Sequence, residues 1–83
     1  MKINIEINTP GNGKTYEFSL DNTMTVRQAK EKIADEILKF ENYNISLSLN
    51  KLILFNKTNK SICDDNEYLI SAGIKSGHTL VLI

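Results

Sequence analysis

The chain has 83 residues, enough for one small domain, and its ten basic and ten acidic side chains give a formal net charge of zero. Neither sign of charge forms a run longer than two residues, so there is no basic stripe and we expect no nucleic-acid partner. Cys63 is the single cysteine, which excludes an intramolecular disulfide. No apolar run exceeds four residues, against about 20 for a membrane-spanning helix, so we expect one cytoplasmic domain over residues 1–83 without membrane insertion.

The first twenty residues predict a β-hairpin. In "KINIEIN" isoleucines alternate with polar residues, and "TYEFSL" alternates in the same way, which is typical of strands with one buried face. The intervening "NTPGNGK" concentrates Pro10, Gly11, Asn12 and Gly13, residues that suit a turn.

An amphipathic helix is predicted over about residues 25–39. Its apolar residues recur at spacings of three and four, and Arg27, Lys30, Glu31 and Asp35 are assigned to the polar side. Thr25 and Gln28 have the spacing of a capping box at its start. The apolar stripe consists of Val26, Ala29, Ile33, Ala34, Ile37 and Phe40.

The second half predicts shorter strands. Residues 45–49 alternate like a strand but lose phase before Leu52, so we assign the strand to "KLILFN" and interpret 45–49 as an ordered connection. "SIC" is predicted to be a short strand, "DDNEYLISAG" a loop with one helical turn, and "HTLVLI" the last strand.

The order ββαββ then predicts an α+β fold of the β-grasp class. The helix packs across one face of a mixed sheet, and the last strand lies beside the first and parallel to it.

Candidate catalytic and ligand-binding residues do not form a convincing set. "GNGKT" contains the Gly-Lys-Thr end of a phosphate-binding loop, but Asn8 replaces the required glycine and a hairpin replaces the strand-to-helix turn. Cys63 fits a small core residue, Asp64 and Asp65 fit a turn, and His78 is expected to be exposed at the start of the last strand. We therefore predict no enzyme, no cofactor and no metal site.

The predicted functional surface is an apolar patch of Ile53, Phe55, Val81 and Ile83. If the alternate leucines of the two later strands face the helix, these four residues point to the other side of the sheet. The first two strands place only polar residues there, so the apolar side chains are confined to one region, which suggests protein binding. The alternatives are that they reflect strand propensity alone, or that residues 45–49 cover them.

The element order and "GKTYEFSLDNTMTVRQAKEKI" resemble the ubiquitin fold, and "LILFNK" is similar to its third strand and following turn. In that fold, conjugated modifiers and sulfur carriers require a flexible Gly-Gly ending. No glycine follows Gly77, so the resemblance implies neither role and no covalent conjugation.

Within that fold the chain resembles the YukD/EsaB family of Gram-positive type VII secretion systems. The resemblance consists of "MKINIEI", the Asn-Lys turn, and the ending formed by Leu69, Gly73, Ile74, Gly77 and Leu80. The longer turn at 58–63 and Ala72 depart from that pattern. The family implies an accessory or regulatory role in the secretion of small helical effector proteins, through contacts with membrane components or the secretion ATPase. Together with the prediction of no enzyme and no cofactor, this gives a protein that acts by protein–protein binding, with recruitment to the inner face of the membrane by its partners. The alternative is a ubiquitin-like interaction domain from a larger eukaryotic protein, such as a tubulin-folding cofactor or a splicing or proteasome-linked factor.

Overall fold

A computed structural model describes residues 1–10, 13–41 and 52–83. The predicted hairpin, helix and last strand are all present, although the third strand is shorter than the segment predicted for it. The elements are β1 (Lys2–Thr9), β2 (Lys14–Asp21), α1 (Val26–Glu41), β3 (Leu54–Asn56), β4 (Ser61–Ile62) and β5 (Thr79–Leu82).

The strands form one mixed sheet in the order β2-β1-β5-β3-β4. β5 lies between β1 and β3, parallel to the first and antiparallel to the second. α1 covers one face of this sheet, called the inner face below, and the opposite face is the outer face. The predicted β-grasp fold is therefore confirmed, including the parallel placement of the last strand beside the first.

The core lies between α1 and the inner face. Its central strand residues are almost completely buried because alternate positions of each strand point toward the helix. The helix contributes a stripe at spacings of three and four residues, as predicted. The buried apolar residues include Ile3, Ile5, Ile7, Leu20, Val26, Ala29, Ile33, Ile37, Leu54, Leu69, Ile74, Leu80 and Leu82.

The predicted capping box forms at the start of α1. The Gln28 backbone N–H donates to Thr25 Oγ1 at 3.1 Å, and the Thr25 backbone N–H donates to Gln28 Oε1 at 3.0 Å. Each side chain thus satisfies a backbone donor that has no partner within the helix. This local pairing explains why the helix begins where the sequence indicated.

The assignment of Lys30 to the polar side of the helix was wrong. Its side chain is only 3% exposed, and Nζ donates to the Leu52 carbonyl at 2.8 Å and lies 2.5 Å from Asp65 Oδ1. A lysine can be buried in this way because a carboxylate and a carbonyl replace the water around its ammonium group. Arg27 and Glu31 are exposed, and Arg27 Nε lies 3.7 Å from Glu31 Oε1.

Three sequence predictions lie outside the described residues. They concern residues 45–49 as an ordered connection, Gly11 and Asn12 of the hairpin turn, and the side chain of Phe40. The described end of that turn contains Gly13, whose φ of +68° suits glycine.

A cluster of hydrogen bonds around Asp21 predicts how stability depends on pH. The backbone N–H of Thr23, its hydroxyl and the Met1 amino group donate to Oδ1 at 3.0, 2.8 and 3.3 Å. These bonds, led by the one from the Thr23 backbone, lower the pKa of Asp21 from 3.8 to about 2. The unfolded chain therefore binds a proton at Asp21 more readily, and stability from this group is lost as the pH falls from about 4 toward 2.

We expect Asp21→Asn to be destabilising at pH 7 and to lose less stability than the wild type between pH 5 and pH 2. Urea unfolding of both proteins at several pH values measures this, and the difference between the two curves isolates Asp21 from the other carboxyl groups. Parallel curves for the two proteins would contradict the prediction.

Candidate protein-binding face

The four residues of the predicted apolar patch come together on the outer face. Ile53 and Ile83 lie opposite each other and exchange backbone hydrogen bonds of 2.8 and 2.9 Å. Phe55 lies opposite Val81 in the antiparallel pairing of β3 with β5. Because Leu54, Leu80 and Leu82 are buried on the inner face, alternation places all four on the outer face.

The patch is accessible among the described residues. Ile53 is 46% exposed and Ile83 is 60% exposed, while Phe55 and Val81 are half-buried. Two facing pairs on adjacent strands form a continuous apolar surface rather than scattered exposed residues.

Sequence reasoning missed Ile62, which extends this surface to the edge of the sheet. It lies in β4 opposite Phe55 and is 71% exposed. The signal was present, because an inward Cys63 in a short strand requires the preceding residue to point outward. The outer patch is therefore defined as Ile53, Phe55, Ile62, Val81 and Ile83.

The outer face becomes polar on β1 and β2. An open groove of about 530 Å³ lies on this side, and it contains two glutamates that face each other in the pairing of β1 with β2, Glu6 and Glu17. The groove is lined by Asn4, Ile5, Glu6, Glu17, Phe18, Ser19, Gly77 and His78.

Cys63 is buried, as predicted, in the core cluster. Burial raises the pKa of its thiol, and the negative charge of Glu67 raises it further. A thiol in this environment stays protonated near neutral pH and is a weak nucleophile.

The two neighbouring aspartates have different roles. Asp64 Oδ1 accepts from the Asn66 backbone N–H at 2.9 Å, which is the predicted turn interaction. Asp65 instead pairs with buried Lys30, and its other oxygen lies 3.9 Å from Arg27. The turn assignment was therefore incomplete for Asp65, because its ion partner lies on a distant helix.

The prediction that His78 is exposed was wrong. The residue is half-buried, and its Nδ1 lies 3.1 Å from the side-chain nitrogen of Asn56, a completely buried residue. Two backbone N–H groups, from Thr58 and Asn59, donate to the Asn56 oxygen, which turns its amide nitrogen toward the histidine. Nδ1 therefore acts as an acceptor that satisfies a buried amide.

Two features are absent from the described residues, a metal-binding cluster and a membrane-spanning helix. No group of three or more His, Cys, Asp or Glu side chains is placed to hold a metal ion. Within residues 1–10, 13–41 and 52–83, no helix is both long and apolar enough to cross a membrane.

No protein-family model matches the sequence, and no curated protein has significant sequence similarity to it. Solved structures are similar over nearly the whole chain. The ubiquitin-like domain of Plasmodium falciparum Dsk2 superimposes with a TM-score of 0.75 at 23% identity, covering 99% of this chain and 96% of that one. A ubiquitin-like domain from Arabidopsis thaliana gives 0.76 at 22% identity, covering 99% and 76%. A designed protein based on ubiquitin gives 0.75 at 20% identity, covering 99% and 87%. The chain therefore has the ubiquitin-like β-grasp fold.

Proposed function

We propose that the chain is a non-enzymatic module that binds another protein without covalent conjugation, through the outer patch. The observation that carries this proposal concerns the outer face of the described sheet, where the large apolar side chains belong to β3, β4 and β5 and the residues that flank them. Other large apolar residues, Met1, Tyr68 and Ile70, are also exposed but lie outside these strands. The outer face on β1 and β2 presents Lys2, Asn4, Glu6, Glu17 and Ser19. An apolar centre beside a polar border is the usual anatomy of a protein-binding surface.

The patch has enough apolar surface for a moderate interaction. Burying apolar area contributes about 25 cal/mol per Å², so two or three of these side chains supply several kcal/mol before the costs of association are subtracted. A partner needs a complementary apolar surface, and Ile62 allows it to reach the edge of the sheet.

Two biological settings fit such a module. The sequence resemblance to the YukD/EsaB family supports an accessory or regulatory role in type VII secretion, with membrane components or the ATPase as partners. The similarity in fold to ubiquitin-like domains of Plasmodium and Arabidopsis favours the second setting, an interaction domain of a eukaryotic protein. Neighbouring genes for a membrane ATPase and small helical secreted proteins would support the first setting.

We expect Ile53→Ser combined with Ile83→Ser to abolish capture of the natural partner while changing stability little. Both side chains are substantially exposed, so the substitutions remove more partner contact than core packing. The measurement is quantitative mass spectrometry of proteins captured from cells of the source organism, together with thermal melting of each variant.

The matched control is Ile70→Ser, because Ile70 is 61% exposed and lies outside the outer patch. The wild type and this control should capture the same proteins, and the double variant should lose them. Their identity then distinguishes secretion components from eukaryotic factors. Unchanged capture by a folded double variant would place the binding surface elsewhere.

A further inference from the structure

We propose that the free edge of β2 binds an extended peptide as an additional strand. The peptide would place apolar side chains on the inner side of the sheet and lysine or arginine on the outer side. This surface is separate from the outer patch, because β2 and β3 lie on opposite sides of β1 and β5.

Backbone hydrogen bonds show which groups of β2 face away from the sheet. Glu6 N–H donates to the His78 carbonyl at 3.0 Å, and Gly77 N–H donates to the Asn4 carbonyl at 2.8 Å, so even-numbered residues of β1 face β5. The odd-numbered residues of β1 therefore face β2. Asn22 N–H donates to the Met1 carbonyl at 2.9 Å, in agreement with this alternation.

The register then identifies the free groups. Ile5 lies opposite Phe18 and Ile7 lies opposite Tyr16, so these residues of β2 bond to β1. The intervening residues Thr15, Glu17 and Ser19 direct their N–H and C=O groups to the open edge. Among the described residues, none forms a backbone hydrogen bond to these groups.

This edge lacks two of the usual structural protections against strand addition, a proline and a β-bulge. β2 is eight residues long, contains no proline, and pairs with β1 without a bulge. The other edge strand, β4, has only two residues. A long regular edge with unpaired donors and acceptors is a template for an extended chain.

The inner side of the edge provides apolar contacts. Tyr16 and Phe18 are half-buried, and their ring centroids are 6.4 Å apart. Both pack against the core but retain exposed surface. Alternate apolar side chains of an added strand would lie beside these rings.

The outer side of the edge is acidic. Glu6 and Glu17 lie directly opposite each other. Among the described residues, neither carboxylate forms a salt bridge, whereas Glu31 pairs with Arg27. Like charges in this position destabilise a sheet, and a cationic side chain from an added strand would relieve the repulsion. Charge complementarity therefore favours lysine or arginine at the outward positions of the peptide.

The same charges disfavour a second copy of the chain as the occupant. Antiparallel pairing of two β2 strands centred on Glu17 would place the two Glu17 side chains opposite each other, each beside a Glu6. A basic peptide avoids this repulsion.

The test uses three synthetic seven-residue peptides. One alternates valine with lysine, the second alternates valine with glutamate, and the third has the valines and lysines of the first in a non-alternating order. NMR titration and amide exchange of the labelled protein report where each binds. We expect the valine–lysine peptide to slow exchange at Thr15, Glu17 and Ser19, and the other two peptides to bind at least about tenfold more weakly.

Glu17→Lys is the decisive variant, because Glu17 is exposed and its charge can be reversed without disturbing the core. It should lower the affinity for the valine–lysine peptide by about tenfold and raise the affinity for the valine–glutamate peptide. The reason is that position 17 then repels lysine side chains and attracts glutamate side chains. Ser71→Lys, an exposed position outside the strand, is the control and should change neither affinity.

Several results would overturn the proposal. They are unchanged exchange at the three amides, equal binding of the ordered and non-ordered peptides, or shifts confined to the outer patch. Concentration-dependent dimerisation that protects the same amides would show instead that the edge pairs with a second copy.

Discussion

Leu80→Ala should destabilise the domain by about 2–5 kcal/mol, because it removes buried methylene groups and leaves a cavity at the centre of the sheet. Leu80 is completely buried and lies between Ile7 of β1 and Asn56 of β3. A core of this size rarely contributes more than about 3–5 kcal/mol of net stability, so the variant should be largely unfolded at 37 °C. Ile5→Ala should behave similarly.

Urea unfolding followed by circular dichroism measures this loss. Ile62→Ala is the matched control, because it also shortens an aliphatic strand residue but at a position that is 71% exposed. It should cost less than about 1 kcal/mol, within the range of surface strand substitutions. Equal urea unfolding curves for Leu80→Ala and the wild type would mean that β5 presents its other side to the helix.

Asp65→Asn should cost about 3 kcal/mol, because it leaves the buried ammonium group of Lys30 without its anionic partner. The Lys30 side chain is 3% exposed, and its Nζ also donates to the Leu52 carbonyl at 2.8 Å. A neutral amide stabilises a buried cation much less than a carboxylate does. The loss is smaller than for a fully buried pair, because Asp65 is one-third exposed.

A double-mutant cycle with Lys30→Met isolates the interaction. The combined variant should recover part of the stability lost in Asp65→Asn, since the buried positive charge is then gone. Asp64→Asn is the control, because the asparagine oxygen can still accept from the Asn66 N–H. Equal small losses in Asp65→Asn and Asp64→Asn would contradict the proposed importance of the ion pair.

The sequence by itself determined the elements that follow from the local spacing of apolar residues. Alternating isoleucines predicted β1, because a strand exposes every second side chain to the same face. The spacing of the helical apolar residues and the Thr25–Gln28 pair predicted α1 and its start. Both signals come from residues close together in the chain, so they can be recognised without knowing which segments pack against each other.

The outer patch was predictable in part for the same reason. Alternation in the last strand placed Val81 and Ile83 on the face of the sheet away from the buried leucines. In the structure, Phe55 lies beside Val81 and Ile53 lies beside Ile83. Ile62 was missed because its strand has only two residues, although the inward position predicted for Cys63 already indicated that Ile62 points outward. Whether the patch binds a protein stays a prediction.

Only the tertiary structure decided the positions of Lys30 and His78. Lys30 follows Val26 by four residues and precedes Ile33 by three, so helical geometry places it beside the apolar stripe, but its charge suggested solvent. Its burial depends on Asp65 and Leu52, which are distant in the chain. His78 is likewise half-buried, and its Nδ1 accepts from the side-chain amide of Asn56, 22 residues away. Polar residues are buried where the fold supplies their hydrogen-bond partners, and those partners are known only once separate segments have been brought together.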